Sequence, residues 1–479
     1  MGYYIDNSIN PCRRIFRLAL CLCLFLSIVC APSQACAWGE FTIKDEAELG
    51  KKIRVYVHSL FSLVDDPEIV RYVDKITSRL LAQAPPQPFT FTISVIHNNA
   101  LNAFAVPGGN LFVYTGLILA VDHESELAGV IGHEIAHATQ RHIAGRIEKM
   151  QKISLLSLAG ALAGAVIGRD AGAALMAGSV AAGQASMLQY SRADETDADH
   201  VGLTYLLKAG YPPMGLAGGL RKIQRQQWQQ RSGMPTYLST HPDIGDRISG
   251  MTARLQNMPA NQRAMKEDDA EFLRIQTLIR ARYADVEPAF MHFSQQRNTP
   301  QKCLALMGEG MLHSRLNRVP EADGAFASAL ACDAREGLIV REAGIFHYLK
   351  GNPQKAAGLL QQAVRMNPKD DMALFFHARA LADSGRIKEA QDFLRDILIR
   401  LPEDVEVHQH YAKLLARDKN MFLAYLHMAY SSLYENNRRR TEQNYKQAKD
   451  LARSDGDAAE LKRFEAAYKE RREVWGGRK

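Results

Sequence analysis

Beyond residue 37 this 479-residue chain has almost no cysteine. Cys12, Cys21, Cys23, Cys30 and Cys36 all lie near the N-terminus, which leaves Cys303 and Cys332 in the body of the chain. That excludes a disulfide-dense scaffold and a thiolate-ligated metal cluster there. Long apolar runs are also missing. The most hydrophobic internal stretch, Ile153 to Ala185, is split by Arg169-Asp170. Neither half reaches the roughly 20 residues a helix needs to cross a bilayer. No charge dominates: Lys+Arg 59 against Asp+Glu 52 leave a net charge of +7. No basic cluster interleaves with aromatics, so no nucleic-acid partner is expected. Arg438-Arg439-Arg440 reads as a solvated helix face in a mixed-charge tail. A hydrophobic fraction of 47% and a charged fraction of 23% are ordinary for a globular protein. The length suits two or three domains.

What is present is more specific. His133-Glu134-Ile135-Ala136-His137 reads HExxH. Four residues advance a helix by about 400°, so His133 and His137 share a face one turn apart. That spacing lets two imidazoles grip one Zn²⁺, with Glu134 beside them to take a proton from the attacking water. Leu127, Val130, Ile131, Ile135 and Ala138 keep helical spacing toward a core. Asp122 or Ser125 is expected to cap the helix. Polar groups on a buried helix are costly without partners, and a metal supplies one. Two surface histidines on an ordinary helix are the plain alternative.

Sites of this kind take a third ligand from elsewhere. The run Ser191 to His200 contains Glu195 and Asp199, four apart and on one helical face. Glu195 can ligate, and Asp199 can orient a ligand imidazole from behind. The same acids would also suit the first turn of a solvated helix. The pairing HExxH…ExxxD resembles the gluzincin branch that holds the CAAX prenyl endopeptidases and the heat-shock protease HtpX. The likeness takes in Tyr190-Ser191-Arg192, Asn102-Ala103-Phe104-Ala105, Gly108-Gly109 and Leu111 to Leu117. It also takes in Ser239-Thr240-His241-Pro242, followed by Arg247, and runs from about residue 40 to 255. The resemblance implies that His133, His137 and Glu195 bind one zinc ion and that Glu134 is the base. It puts His241 and Arg247 over the site as catalytic groups, stabilising the oxyanion or closing the metal. His241 is expected to regulate, because Ser-Thr-His-Pro reads as a loop that can swing and a fourth protein ligand closes a zinc site.

The N-terminus reads as a secretory signal. Arg13, Arg14 and Arg17 precede the apolar run Leu18 to Cys30, and Ala35-Cys36-Ala37 offers an A-x-A site. Cleavage is expected before Trp38, with an uncleaved anchor as the alternative. Given the family, the expected compartment is a bacterial periplasm. Residues 40–84 look mostly helical. Phe89 to Ile96 alternates with period two, and Asn102 to Ala105 and Leu111 to Tyr114 add two short strands. A small antiparallel sheet is therefore expected beside the HExxH helix. An edge strand there, with Asn102, Ala103 and Phe104, could hold an extended peptide. The interval Ile153 to Ala185 reads as two short apolar helices, buried against the protease or in peripheral contact with a membrane, and able to act as a lid.

The C-terminal half repeats. Gly310, Gly344, Ala378 and Ala412 are 34 residues apart, as are Ala322, Ala356, Ala390 and Ala424, and Phe326, Leu360, Leu394 and Met428. This period, with small residues at fixed offsets, looks like tetratricopeptide repeats starting near residues 303, 337, 371 and 405. An unrelated helical bundle is the alternative. Ala458 carries the register into a degenerate cap. Cys303 and Cys332 would open and close the first hairpin, whose antiparallel helices bring its two ends within disulfide reach. The expected fold is α+β, a mostly helical zinc metalloprotease with a small antiparallel sheet followed by an all-α solenoid. Its expected parts are a signal peptide (1–37), a zinc metallopeptidase domain (38–262), a helical linker (263–302), four repeats (303–436) and a degenerate cap with a basic tail (437–479). The combination resembles the periplasmic branch of the family, the BepA-like outer-membrane assembly proteases. That implies a zinc endopeptidase for unfolded or stalled outer-membrane β-barrel proteins, with the repeats contacting the client or the β-barrel assembly machinery. A latent protease acting mainly as a repeat-based chaperone or binding module is the alternative.

Overall fold

The structure is a computed structural model that describes residues 41–149, 189–229, 236–260, 265 and 267–476. The expected signal segment (1–37) and the apolar interval from 153 to 185 lie outside the described residues. Two helices come first, α1 (Ile43–Leu60) and α2 (Pro67–Leu81). Pro67 sits in the first turn of α2, where a missing N–H does no harm, and Asp66 caps the helix by accepting from the Glu68 amide. The strands β1 (Thr92–Ile96), β2 (Ala103–Val106) and β3 (Asn110–Tyr114) follow. Gly108 and Gly109 turn β2 into β3 with positive φ angles of 75° and 76°, a conformation that suits glycine.

The sheet order is β1-β3-β2. β2 and β3 pair antiparallel as expected, but β1 runs parallel to β3, so the sheet is mixed. The reason is that β3 inserts between the two earlier strands. Alternation marks a strand and its faces but not its neighbours.

Beyond the sheet lie α3 (Thr115–Ala120), α4 (Glu124–Thr139), α5 (His142–Lys149), α6 (Arg192–Lys208), α7 (Gly215–Gln229), α8 (Thr236–Thr240) and α9 (Ile244–Gln256). α4 carries the HExxH residues. α6 crosses it where two glycines meet: a Cβ on Gly202 would lie 3.0 Å from the carbonyl oxygen of Gly132 and 3.0 Å from the amide of His133. That approach brings the acids of α6 to the histidines of α4.

The segment expected as a linker is built into the core. Its helices are α10 (Ala270–Tyr283) and α11 (Val286–Gln296). Phe272, Ile275, Leu278 and Ile279 join one apolar core that extends from α2 and α4 to the first repeats. The repeats form hairpins α12 (Lys302–Arg315)/α13 (Val319–Cys332), α14 (Gly337–Leu349)/α15 (Pro353–Met366), α16 (Asp371–Asp383)/α17 (Ile387–Arg400) and α18 (Val405–Arg417)/α19 (Met421–Tyr434). The small residues work by permitting contact: a Cβ on Gly310 would lie 3.0 Å from the Phe326 ring, and one on Gly344 2.9 Å from Leu360. Cys303 and Cys332 are bridged, with Cα atoms 5.4 Å apart. A further pair, α20 (Arg438–Leu451) and α21 (Asp455–Gly476), caps the stack around Ala448 and Phe464. Ala458, expected to hold the register, is exposed. The basic run at the start of α20 is exposed too, and Arg438 pairs with Glu442 at 2.8 Å. Among the described residues no helix is long and apolar enough to cross a membrane.

Candidate metal centre

α4 is buried from Leu127 through His137. Neither Asp122 nor Ser125 caps it. His123 takes the cap position without a side-chain bond to the helix, and acids from far downstream supply the acceptors. Asp269 accepts from the Glu124 amide at 2.8 Å, and Glu267 accepts from the Ser125 hydroxyl at 2.5 Å. His123, Glu267 and Asp269 also lie close enough together to share a cation. The two acids are already engaged in capping α4.

The HExxH imidazoles converge, with their Nε2 atoms 3.0 Å apart. Glu195 stands in the first turn of α6, which Ser191 and Asp194 close with a capping box. Its two oxygens lie 3.5 Å from His133 Nε2 and 3.5 Å from His137 Nε2. His241 Nδ1 lies 2.9 Å from Glu195 Oε1 and 3.5 Å from His133 Nε2. One ligand atom from each of His133, His137, Glu195 and His241 falls within 4.8 Å of the other three, so the four could hold one ion. All four side chains are buried.

Glu134 reaches the same cluster, 3.6 Å from His241 Nε2. Both of its carboxylate oxygens are buried without a hydrogen-bond partner. Buried polar atoms are rarely left so. An orphaned carboxylate beside converging imidazole nitrogens fits a site built for a cation and an attacking water. Burial pushes the Glu134 carboxyl above its ordinary range, against the pull of His241 and His133. Burial also works against Glu195, but His241 and both HExxH imidazoles hold its carboxyl well below the usual range. Burial, followed by the charge of His133, lowers His137. For His133, burial and Arg247 are outweighed by Asp199 and Glu195, and the imidazole is pushed up to about 9.

Asp199 does what its spacing predicts, lying 3.0 Å from His133 Nδ1. Arg247 reaches the ligand group itself, with Nη2 3.2 Å from His133 Nε2. It donates to Asp199 through Nη2 at 2.7 Å and Nε at 2.9 Å, and its Nη1 pairs with Glu195. Through these two carboxylates it holds the acids in place beside His133. His241 is not on an open loop. It follows α8 directly and is 1% exposed. Its ring stacks on Tyr237 at 4.3 Å, and the Thr240 carbonyl accepts from the Tyr190 amide at 2.9 Å.

Sequence reasoning missed the aromatic packing. Tyr190 stacks on His137 at 3.7 Å. The i, i+4 spacing of Tyr237 and His241 was the available signal. Asn102, Ala103 and Phe104 are placed at the sheet's β2 side. Ala103 and Phe104 lie on β2, and the Asn102 carbonyl accepts from the Tyr114 amide at 3.0 Å. All three are buried, and among the described residues no strand pairs with the outer edge of β2.

Residues 65–255 match peptidase family M48. The chain carries an M48 peptidase domain. Behind the M48 domain, residues 307–371 and 347–417 match tetratricopeptide repeats. The chain is 30% identical over 235 residues to a beta-barrel assembly-enhancing protease of Yersinia pestis, covering 48% of each chain. It is 31% identical over 225 residues to the protein of that name from Escherichia coli strain K12, covering 46% of each. A mitochondrial metalloendopeptidase OMA1 of Schizosaccharomyces pombe is 28% identical over 177 residues, 37% of this chain and 50% of that one. The chain spans about half the length of these relatives. An M48 domain and a metal-capable group at its HExxH helix together identify the region as a metallopeptidase domain.

Proposed function

We propose that this protein is a zinc-dependent endopeptidase of a bacterial periplasm, acting on unfolded or stalled outer-membrane β-barrel proteins. The observation that carries the chemistry is Glu134, a buried carboxylate without a hydrogen bond beside the converging nitrogens of His133 and His137. Two imidazoles and a carboxylate, with no thiol, suit zinc. Bound there, zinc would supply Lewis acidity toward a water and a peptide carbonyl. Glu134 takes a proton from the attacking water and passes it to the leaving amine. Asp199, 3.0 Å from His133 Nδ1, orients that ring so that its Nε2 faces the other ligand atoms. Arg247 holds Asp199 and Glu195 in register. An extended substrate would lie along β2, beside Asn102, Ala103 and Phe104. His241 closes the resting site as a fourth ligand, a role supported by the place of its Nδ1 among the other ligand atoms.

The compartment rests on the N-terminal signal pattern, and the client on the names of the relatives. The repeats would contact the client or the β-barrel assembly machinery. A second reading, a latent protease serving mainly as a repeat-based chaperone, is favoured by the burial of all four ligand candidates. Zinc content and casein cleavage, measured for wild type beside Glu134→Gln, decide between them. We expect one zinc in each and cleavage by wild type alone. Zinc-loaded wild type without cleavage would favour the latent reading, and cleavage by Glu134→Gln would sink the mechanism.

A further inference from the structure

α6 supplies Glu195 to the ligand group and Asp199 to His133, but neither acid reaches the far nitrogen of His137. That nitrogen is engaged. His137 Nδ1 lies 2.9 Å from Nδ1 of His142, the first residue of α5. His142 Nε2 in turn lies 3.3 Å from Asp197 Oδ2, on α6. The chain turns sharply to make this contact: Arg141, between the two helices, adopts a positive φ of 54°.

We propose that His142 is a positioning residue for His137, and that Asp197, His142 and His137 form a hydrogen-bonded relay that sets the tautomer of a metal ligand. The proton count permits one arrangement compatible with ligation, so the inference rests on the metal reading above. His137 must present a lone pair at Nε2, which puts its proton on Nδ1. His142 Nδ1 must then accept, which puts the His142 proton on Nε2. Asp197, a carboxylate, accepts that proton's hydrogen bond. Each partner is satisfied, and each imidazole is neutral. His133 meets its carboxylate directly, with Asp199 3.0 Å from its Nδ1. Tyr190 completes the support: stacked on His137 at 3.7 Å, it fixes the plane of the ring while His142 fixes its rotation. α6 therefore serves both HExxH imidazoles, one directly and one through α5.

Zinc affinity of the full-length mature chain tests this, measured by competition with a chromophoric chelator. A Glu134→Gln background prevents self-cleavage. Loss of an outer partner of a metal-bound histidine typically weakens metal affinity about 10–100-fold. His142→Leu, which keeps the bulk and removes the acceptor, should fall in that range. His142→Gln should stay within about threefold of the parent, since its amide can accept from His137 and donate to Asp197. Asp197→Ala should weaken binding less than His142→Leu but measurably. A merely structural role at the start of α5 would lower the melting temperature and leave the affinity of the folded protein unchanged. Folded His142→Leu with parental zinc affinity would overturn the relay. If that variant does not fold, parental affinity in Asp197→Ala, at a half-exposed position, would overturn it instead. A parent that binds no zinc would refute the metal reading on which the relay rests, which is a distinct result.

Discussion

Asp199 and Glu195 are two buried carboxylates on one helix, and a single guanidinium holds both. Arg247 is itself buried, so removing it strands negative charge away from water. Breaking a buried pair in this way typically costs about 3–5 kcal/mol, because the remaining partner loses its compensation. Arg247→Met should therefore lower stability by roughly that amount in denaturant unfolding of the zinc-free protein. Arg247→Lys keeps the charge but loses the two-pronged fit to Asp199 and should recover only part of it. Unfolding midpoints equal to wild type in both variants would remove Arg247 from this role. The residue was visible in the sequence as a site candidate. Its hold on both acids was not, since that depends on where α9 lies relative to α6.

At the scale of elements, the decisive feature is how closely α6 approaches α4. Gly202 has no Cβ, and one built there would lie 3.0 Å from the backbone of α4 at Gly132 and His133. The obstacle is main chain and cannot turn aside. Gly202→Ala should push α6 outward and cost about 1–3 kcal/mol through overpacking. It should also weaken zinc binding, because α6 carries Glu195 and Asp199. Gly324 in α13 makes the matched control. It is exposed, and a Cβ there meets nothing within 4 Å. Gly324→Ala should raise stability by up to about 1 kcal/mol through helix propensity alone. Thermal melts of the two variants test the contrast, and a Gly202→Ala melt at or above wild type would contradict it.

Across the whole molecule, a buried charge network ties the M48 domain to the repeats. Asp66 and Glu68 open α2; Arg282 ends α10; Arg341 and Glu342 lie on α14; Asp370 caps α16. Arg282 reaches Asp66 at 2.5 Å and Glu342 at 2.6 Å. Arg341, fully buried, pairs with Glu342 at 2.9 Å, with Asp370 at 3.0 Å and with Glu68. Burial works against the Glu68 and Glu342 carboxyls, yet Arg341 and Arg282 respectively hold them below their ordinary value of 4.5. Asp66 runs the other way, raised by burial against the pull of Arg282. A carboxyl lowered by folding stabilises the fold above its unfolded pKa and loses that contribution as pH falls through the folded value. Glu68 and Glu342 therefore contribute fully at pH 7 and progressively less below 4.5, with Asp66 offsetting part of the loss. Calorimetric scans should show the melting temperature falling between pH 7 and about pH 3, and falling less steeply in Glu342→Gln. Equal slopes in the two proteins would show that the network does not govern the acid response.

Local spacing by itself determined the HExxH face, the Glu195/Asp199 pair and the start of each repeat near residues 303, 337, 371 and 405. These are readable because a helix returns to the same face every three to four residues and a repeat returns to the same contact every 34. The cysteine pair was legible for the same reason, since the repeat register alone put Cys303 and Cys332 at the two ends of one hairpin. Tertiary structure decided which elements became neighbours. β3 entered between β1 and β2; Asp269 and Glu267 capped a helix more than 140 residues upstream; α10 became core. His142, five residues after His137, was in plain view, but only the backbone turn at Arg141 brought it against that ring. Periodicity specifies the face an element buries. What that face meets is set by shape and charge complementarity between distant segments, which carries no period along the chain.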